Sequence, residues 1–136
     1  MEHEPFSRHS QPANLRVLLI DDHEISRAAC RALLRTEGID VVADLPVYED
    51  AVAATIELHP EAAIVDVTPE DDRALVLARR LRAVLRPPIV VLTSSASRTV
   101  LGTKLDGFPF IAKADLCSSE VLTAIRADQD TVETSH

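Results

Sequence analysis

Short apolar runs alternate with helical patterns along most of this chain. Five runs have the composition of β-strands: LRVLLI (15–20), DVVADL (40–45), AAIVDV (62–67), PIVVLT (88–93) and FPFIAK (108–113). The first, third and fourth runs are apolar nearly throughout instead of alternating with polar residues. Such runs are typical of parallel strands that are covered on both faces. The pattern therefore predicts a five-stranded parallel sheet.

Between these runs the hydrophobic period changes to that of helices. Segment 24–38 follows the spacing of an amphipathic helix, and Gly38 stands where that helix would end. Its apolar positions are Ile25, Ala28, Ala29, Ala32 and Leu33. Helical stretches follow at 47–59, 71–86, 97–105 and 118–127, the third of these being weakened by Gly102, and the last having Ser118 or Ser119 as its N-cap. Five strands alternating with five helices predict a doubly wound, three-layer α/β domain.

Length and charge narrow the class of protein. A chain of 136 residues fits one domain, with a flexible leader at 1–14, the domain at 15–127, and a disordered tail or the start of a linker at 128–136. The formal charge of −8 argues against direct nucleic-acid binding. No apolar stretch is long enough for a membrane span, and the polar N-terminus lacks the apolar centre of a secretory signal. We therefore expect a cytoplasmic protein in which Cys30 and Cys117 are buried or half-buried thiols.

Polar groups interrupt the predicted strands at their carboxyl ends, where ligands bind in such sheets. Strand one ends in Asp21 and Asp22, strand three reaches Asp66, strand four ends in Thr93 and strand five ends in Lys113. Converging carboxylates repel one another unless a cation lies among them, and oxygen ligands favour Mg²⁺. A carboxylate beside that ion can attack phosphorus and form an acyl phosphate, while a lysine and a hydroxyl neutralise the transferred oxygens.

The motifs LLIDDH, AIVDV, VVLTSS and FIAKADLCSSEVLTAI, in this order and spacing, resemble the receiver domains of two-component response regulators. The resemblance covers residues 15 to about 127 and implies a flavodoxin-like fold with strand order 2-1-3-4-5. The final motif is most similar to receivers that precede a helix-turn-helix output domain.

The resemblance also implies a role for each site residue. These roles are Asp66 as phosphoacceptor; Asp21, Asp22, Asp66 and the backbone carbonyl of Thr68 as Mg²⁺ ligands; Thr93 and Lys113 as phosphoryl contacts; and Thr93 with Phe110 as the switch. A sensor histidine kinase would donate the phosphoryl group. The switch would then change the face made by the fourth helix, fifth strand and fifth helix, through which a homodimer is also expected. No enzymatic activity is implied beyond phosphoryl acceptance and self-dephosphorylation.

The chain departs from the family pattern after Asp66. Pro69 comes only three residues later and no Asp-Gly pair follows, so we expect a loop shortened by one residue that displaces the Thr68 carbonyl. Thr93 follows Asp66 by 27 positions and Lys113 follows Thr93 by 20, which predicts a trimmed fourth helix. A pseudo-receiver that binds partners without phosphorylation is therefore the alternative. A Mg²⁺-dependent aspartyl phosphatase is disfavoured, because DDHE lacks the nucleophile pattern of those enzymes.

Three other features have simpler interpretations than function. His23 is expected to be an exposed loop residue, since Mg²⁺ does not favour imidazole. The segment PEDDR (69–73) is expected to cap the third helix and form its first turn. The arginines of ARRLRAVLR (78–86) are expected to form the solvated face of that helix.

Overall fold

The five predicted strands form one parallel sheet. A computed structural model describes residues 15–46, 48–116 and 119–126. The strands are β1 Arg16–Ile20, β2 Asp40–Leu45, β3 Ala62–Asp66, β4 Ile89–Ser94 and β5 Phe110–Ala112. They pair in the order β2-β1-β3-β4-β5, which confirms the predicted fold. Because the direction of winding reverses between β1 and β3, the carboxyl ends of these two strands flank the crevice in which ligands bind in such sheets.

Helices connect the strands, and all five predicted helices appear among the described residues. They are α1 Glu24–Thr36, α2 Ala51–Leu58, α3 Arg73–Arg82, α4 Arg98–Leu101 and α5 at 119–126. Short 3₁₀ turns precede α2, follow α4 and follow β5. Helix α4 is a single turn that ends at Leu101, just before Gly102, so the fourth helix is short, as predicted.

Alternate side chains of the central strands point into two separate cores. Leu18, Val65 and Leu92 pack on the side that includes α3. Their neighbours Leu19 and Ile64 pack on the opposite side, against α1 and α5. Because both faces of β1, β3 and β4 are covered, these strands are apolar nearly throughout, as their sequences indicate.

Helix α1 buries a different face from the one that its apolar period indicates. Cys30 and Leu34 are buried against the sheet, whereas Ile25 is 86% exposed. Four of the five predicted apolar positions, which we call the α1 stripe, are exposed, and the fifth, Ala28, is half-buried. The α1 stripe consists of Ile25, Ala29, Ala32 and Leu33. The face that packs on the sheet carries Ser26 and Arg27 as well as Cys30 and Leu34. The polar groups of Ser26 and Arg27 contact Asp21 at the carboxyl edge of the sheet, and these contacts favour the observed orientation.

Helix α3 faces solvent as predicted, but it begins only at Arg73, so most of PEDDR (69–73) precedes the helix and does not form its first turn. Within the described residues the N-cap residue Asp72 makes no side-chain capping bond, and the carboxylate of Asp71 instead accepts a hydrogen bond of 3.0 Å from the backbone N–H of Arg73. Arg79, Arg80 and Arg82 are exposed. The helix therefore has an apolar inner face and a solvated basic outer face.

Several predictions concern residues beyond those that the structure describes. The leader at 1–14, the tail at 128–136, the second thiol at Cys117 and the cap at Ser118 all lie outside the described residues. Cys30 is a buried free thiol, as expected. Among the described residues, none of the helices has the length and apolar composition that a bilayer crossing requires.

Candidate functional site

The carboxyl edge of the sheet brings together the polar side chains that the sequence places at strand ends. Asp21 follows β1, Asp66 ends β3, and Thr93 lies near the end of β4. These residues are 1%, 3% and 1% exposed, respectively. Lys113 follows β5 and is largely buried, whereas Asp22 is more exposed. The site therefore has a buried floor and an open side at Asp22.

Lys113 is the central cation of this site. Its Nζ atom lies 2.8 Å from Oδ1 of Asp66 and 3.1 Å from Oδ2 of Asp21, and it donates a hydrogen bond of 2.6 Å to Oγ of Ser26. Burial alone would lower the pKa of Lys113, but the hydrogen bonds and negative charges of the two aspartates raise it above its ordinary value. The ammonium group therefore stays protonated at neutral pH and neutralises part of the acidic cluster.

Asp21 is the better compensated of the two buried carboxylates. Burial would raise its pKa, yet hydrogen bonds from the backbone N–H of His23, the hydroxyl of Ser26 and the ammonium of Lys113 lower it overall. The first two of these bonds measure 3.0 and 2.8 Å. Asp21 is therefore held ionised by donors that its own neighbourhood supplies.

Asp66 is less well compensated. Burial raises its pKa above the ordinary value, the hydrogen bond from Lys113 offsets part of that effect, and the charge of Asp21 adds to the rise. An ionised carboxylate in this setting is stabilised when a further cation approaches it. Asp66 thus combines burial, incomplete neutralisation and a position at the end of a central strand.

The acidic side chains are close enough together to bind a single cation. Asp21, Asp22, His23 and Asp66 each place one potential ligand atom within 4.8 Å of the others. Three of the four supply carboxylate oxygens, the donor type that Mg²⁺ prefers. His23 is exposed, as predicted, and its Nδ1 atom lies 3.0 Å from Oδ1 of Asp22. The donor set therefore fits a hard divalent ion such as Mg²⁺.

The loop after Asp66 is short and closed. Thr68 and Asp71 form an isolated antiparallel bridge around a turn, and the Asp71 N–H donates a long hydrogen bond of 3.4 Å to the Thr68 carbonyl. A carbonyl oxygen has two lone pairs, so this bond leaves one for another partner. The role of Thr68 as a metal ligand stays a prediction.

Thr93 has an unusual hydroxyl. Its Oγ1 atom is buried and has no hydrogen-bond partner within the part of the chain that the structure describes. A buried hydroxyl without a hydrogen bond destabilises the folded state by about 1–3 kcal/mol, so such groups are rare. One explanation for such a group is a partner that binds it only in another state of the protein. Thr93 lies directly opposite Asp66 in the register of β3 and β4, which places it beside the carboxylate.

Phe110 is the first residue of β5, the strand that pairs with the one carrying this hydroxyl. It is half-buried, pairs in register with Leu92, and packs against the core that includes α3. The guanidinium of Arg98, the first residue of α4, lies 5.2 Å from the centre of its ring. The two predicted switch residues therefore occupy adjacent strands, and Phe110 links that region to α4.

Three site residues were not predicted. Ser26 bonds both Asp21 and Lys113, and Arg27 donates to the backbone carbonyl of Asp21 at 3.0 Å. The third, Arg73, has its Nη2 atom 3.9 Å from Oδ2 of Asp22. The available signal was position, since Ser26 and Arg27 lie in the first turn of the helix that follows the acid pair.

Known proteins share this fold and this sequence pattern. The family model of the response regulator receiver domain matches residues 17–126. The sensory transduction protein LytT of Bacillus cereus is 26% identical over 101 residues, which are 73% of this chain and 41% of LytT. The transcriptional regulatory protein LiaR of Bacillus subtilis is 33% identical over 82 residues, which are 59% of this chain and 39% of LiaR. The chain therefore spans about two fifths of the length of these curated relatives.

A solved structure agrees in fold. The signal receiver domain of a modulated diguanylate cyclase from Desulfovibrio desulfuricans superposes with a TM-score of 0.66 at 24% identity, over 84% of this chain and 95% of that one. The family model covers most of the chain, and the strand order is the one that the receiver motifs imply. The chain therefore belongs to the response regulator receiver domain family.

Proposed function

We propose that this domain accepts a phosphoryl group on Asp66 from a sensor histidine kinase, with Mg²⁺ as cofactor. The observation that carries the proposal is the group of buried residues around this carboxylate. Lys113 lies 2.8 Å from it, and the Thr93 hydroxyl, which has no hydrogen-bond partner among the described residues, lies at the paired position of the adjacent strand. A nucleophile, a cation and a hydrogen-bond donor are thus collected around one place where phosphoryl oxygens would bind.

The chemistry needs no other protein group. A carboxylate oxygen of Asp66 forms a P–O bond while the P–N bond of the donor phosphohistidine breaks, and the imidazole nitrogen takes the electron pair. Mg²⁺, held by Asp21, Asp22, Asp66 and the Thr68 carbonyl, would supply positive charge that offsets repulsion between carboxylate and phosphoryl oxygens. Hydrolysis by water then releases inorganic phosphate and restores the carboxylate. No other activity is proposed for the domain.

The signal would arise from the groups that gain new partners. Lys113 would exchange its contact with Asp66 for a phosphoryl oxygen, and the Thr93 hydroxyl would donate to another. Movement of Thr93 next to β5 would favour a different position of Phe110, which contacts Arg98 of α4. The proposed output is therefore a population shift at the face made by α4, β5 and α5, which would also support a homodimer.

An exposed apolar surface next to the site supports docking of a protein donor. The α1 stripe is solvent-exposed and includes two large apolar side chains, Ile25 and Leu33, and an apolar patch of this kind can mark a protein-binding surface. It lies on the helix whose first turn supplies Ser26 to the site. A kinase bound there would have its histidine near Asp66.

The proposed kinase partner places the domain in the cytoplasm. Its charge of −8 argues against direct contact with nucleic acid, and we assign it none.

A second candidate function is a pseudo-receiver that binds partners without phosphorylation. The short turn between Thr68 and Asp71 favours it, because this turn constrains the carbonyl that is expected to bind the metal. The presence of Arg73 beside Asp22 also favours it, because a second cation there competes with Mg²⁺.

One experiment separates the two functions. The chain is incubated with Mg²⁺ and acetyl phosphate, and its intact mass is measured alongside the Asp66→Asn variant and the control Asp40→Asn, which changes an exposed aspartate at the start of β2. We expect one phosphoryl group on the wild type and on Asp40→Asn, and none on Asp66→Asn. An unchanged wild-type mass, under conditions that label an established receiver, would favour the pseudo-receiver. Labelling of Asp66→Asn would place the phosphoryl group on another residue.

A further inference from the structure

Arg73 lies at the open side of the acidic cluster. Its Nη2 atom is 3.9 Å from Oδ2 of Asp22 and 2.6 Å from Oδ2 of Asp71. Its Nε atom donates to both oxygens of Asp71, at 3.1 and 2.9 Å. The guanidinium carbon lies 5.2 Å from the centre of the Tyr48 ring. One cation therefore contacts both a predicted metal ligand and a second carboxylate outside the cluster.

The shortened loop puts Arg73 in this place. The bridge between Thr68 and Asp71 folds the chain back just after β3, so that α3 begins at Arg73. The backbone N–H of Arg73 is bound to Oδ1 of Asp71 at 3.0 Å, which fixes the start of the helix. The position of this guanidinium is thus a consequence of the local backbone.

The charges of the cluster are divided between two cations. Lys113 contacts Asp66 and Asp21, and Asp22 instead faces Arg73 and His23. A divalent ion held by the three aspartates would lie within a few ångströms of the guanidinium and be repelled by it. Arg73 and Asp22 are both partly exposed, so solvent screening makes the repulsion moderate.

We propose that Arg73 is an internal competitor of Mg²⁺ at Asp22, and that Asp71, which already binds its guanidinium at 2.6 Å, limits this competition by holding Arg73 3.9 Å from Asp22. The inference rests on the cation site of the proposed function. Arg73 does not contact the phosphoryl group in this scheme and acts through Asp22. Its consequence is that the domain is loaded, and hence phosphorylated, only at higher Mg²⁺ concentration than the three aspartates alone would need.

Calorimetric titration of the full chain with MgCl₂ tests the proposal. We expect Arg73→Gln to bind Mg²⁺ about three- to tenfold more tightly than the wild type, with a smaller gain at high salt. Asp71→Asn should bind more weakly, since Arg73 then loses its closer carboxylate and is free to pair with Asp22. The double variant should match Arg73→Gln, because the effect of Asp71 passes through Arg73.

Arg80→Gln is the matched control. Arg80 is exposed on the same helix and lines the same cavity of about 400 Å³ beside Tyr48, so the variant removes one positive charge two turns away. The fluorescence of Tyr48 gives a second readout, because Arg73 contacts its ring. Tyr48 is the single tyrosine in a chain without tryptophan, so the signal comes from this residue. Burial raises its pKa to about 12, so the phenol stays protonated at neutral pH.

Each outcome decides one question. The proposal is overturned if Arg73→Gln binds Mg²⁺ no more tightly than Arg80→Gln, or if neither the wild type nor Arg73→Gln binds the ion. If Arg73→Gln tightens binding but acetyl phosphate adds no phosphoryl group, the inference about Arg73 stands and the proposed function fails. If the wild type is phosphorylated while the Mg²⁺ affinities of the variants are equal, the inference alone fails.

Discussion

Asp66 and Thr93 lie directly opposite each other on β3 and β4, and the hydroxyl of Thr93 is buried beside the carboxylate without a hydrogen-bond partner in the described residues. The backbone joins them as well, because the N–H of Val67 donates a hydrogen bond of 2.8 Å to the Thr93 carbonyl. The resting domain therefore carries the cost of an unsatisfied polar group at the place where a phosphoryl oxygen would accept a hydrogen bond.

Replacing that hydroxyl should stabilise the resting domain. We expect Thr93→Val to raise the free energy of unfolding by about 1 kcal/mol, because it removes, at nearly constant volume, a buried hydroxyl that has no partner among the described residues. Chemical denaturation without phosphodonor or Mg²⁺ measures this. Thr55→Val is the matched control, since the buried Thr55 hydroxyl donates to the Ala51 carbonyl at 2.8 Å, and it should give no gain. Equal changes in the two variants would show that Thr93 has a partner in solution.

The charge of Asp66 should destabilise the fold at neutral pH. Burial raises the pKa of Asp66 above its ordinary value of 3.8, so ionisation is less favourable in the folded chain than in the unfolded one. The penalty is complete above the folded pKa and disappears as the pH falls towards 3.8. We therefore expect Asp66→Asn to raise Tm by about 2–5 °C at pH 7 and to give no advantage near pH 4.

Thermal unfolding of Asp40→Asn controls for net charge. Asp40 is exposed at the start of β2, at the opposite edge of the sheet, so its variant should leave Tm nearly unchanged. Mg²⁺ should narrow the difference between wild type and Asp66→Asn, because the ion offsets the same charge. A lower Tm for Asp66→Asn at pH 7 would mean that the ion pair with Lys113 outweighs burial.

Removal of Lys113 should destabilise the fold, in contrast to removal of the Asp66 charge. Lys113→Met leaves two buried carboxylates without their common cation, and we expect it to lower the free energy of unfolding by about 2–4 kcal/mol at pH 7. Because the folded pKa of Lys113 is raised, its contribution is complete below the ordinary value of 10.5 and is lost as the pH rises through the folded pKa. Urea titrations across this range measure the difference from wild type.

Mg²⁺ and a surface lysine complete that test. Mg²⁺ should stabilise Lys113→Met more than wild type, because the ion replaces the missing positive charge. Lys104→Met removes an exposed pair with Asp72 and should cost less than about 1 kcal/mol. If both lysine variants lose the same stability, Lys113 does not neutralise the acidic cluster.

The sequence predicted the site where backbone order alone determines it. Parallel strands bring their carboxyl ends to one edge, so Asp21, Asp66 and Lys113 were expected to meet there, and they do. Ser26 and Arg73 were not expected, because their positions depend on the angle at which α1 and α3 leave the strands. The direction in which a helix leaves a strand decides which of its first residues reach the site. No particular residue type marks that direction in the sequence.

The buried face of α1 shows a second limit of the sequence. Its apolar period indicates the α1 stripe, yet the helix turns Cys30 and Leu34 inward and leaves Ile25 in water. Alanine tolerates either environment, so a stripe rich in alanine does not fix the orientation of a helix. The contacts of Ser26 with Asp21 and Lys113 favour the observed orientation instead.

Two adjacent leucines on α1 test this orientation directly. Leu34 is fully buried, whereas the preceding residue, Leu33, is 38% exposed. We expect Leu34→Ala to lower the free energy of unfolding by about 2–5 kcal/mol and Leu33→Ala by less than about 1 kcal/mol. The residue type, the helix and the helix propensity of the substitution are the same in both variants, so the difference measures burial alone. If the apolar period determined the orientation, Leu33→Ala would be the costly change, and urea denaturation of the two variants distinguishes these outcomes.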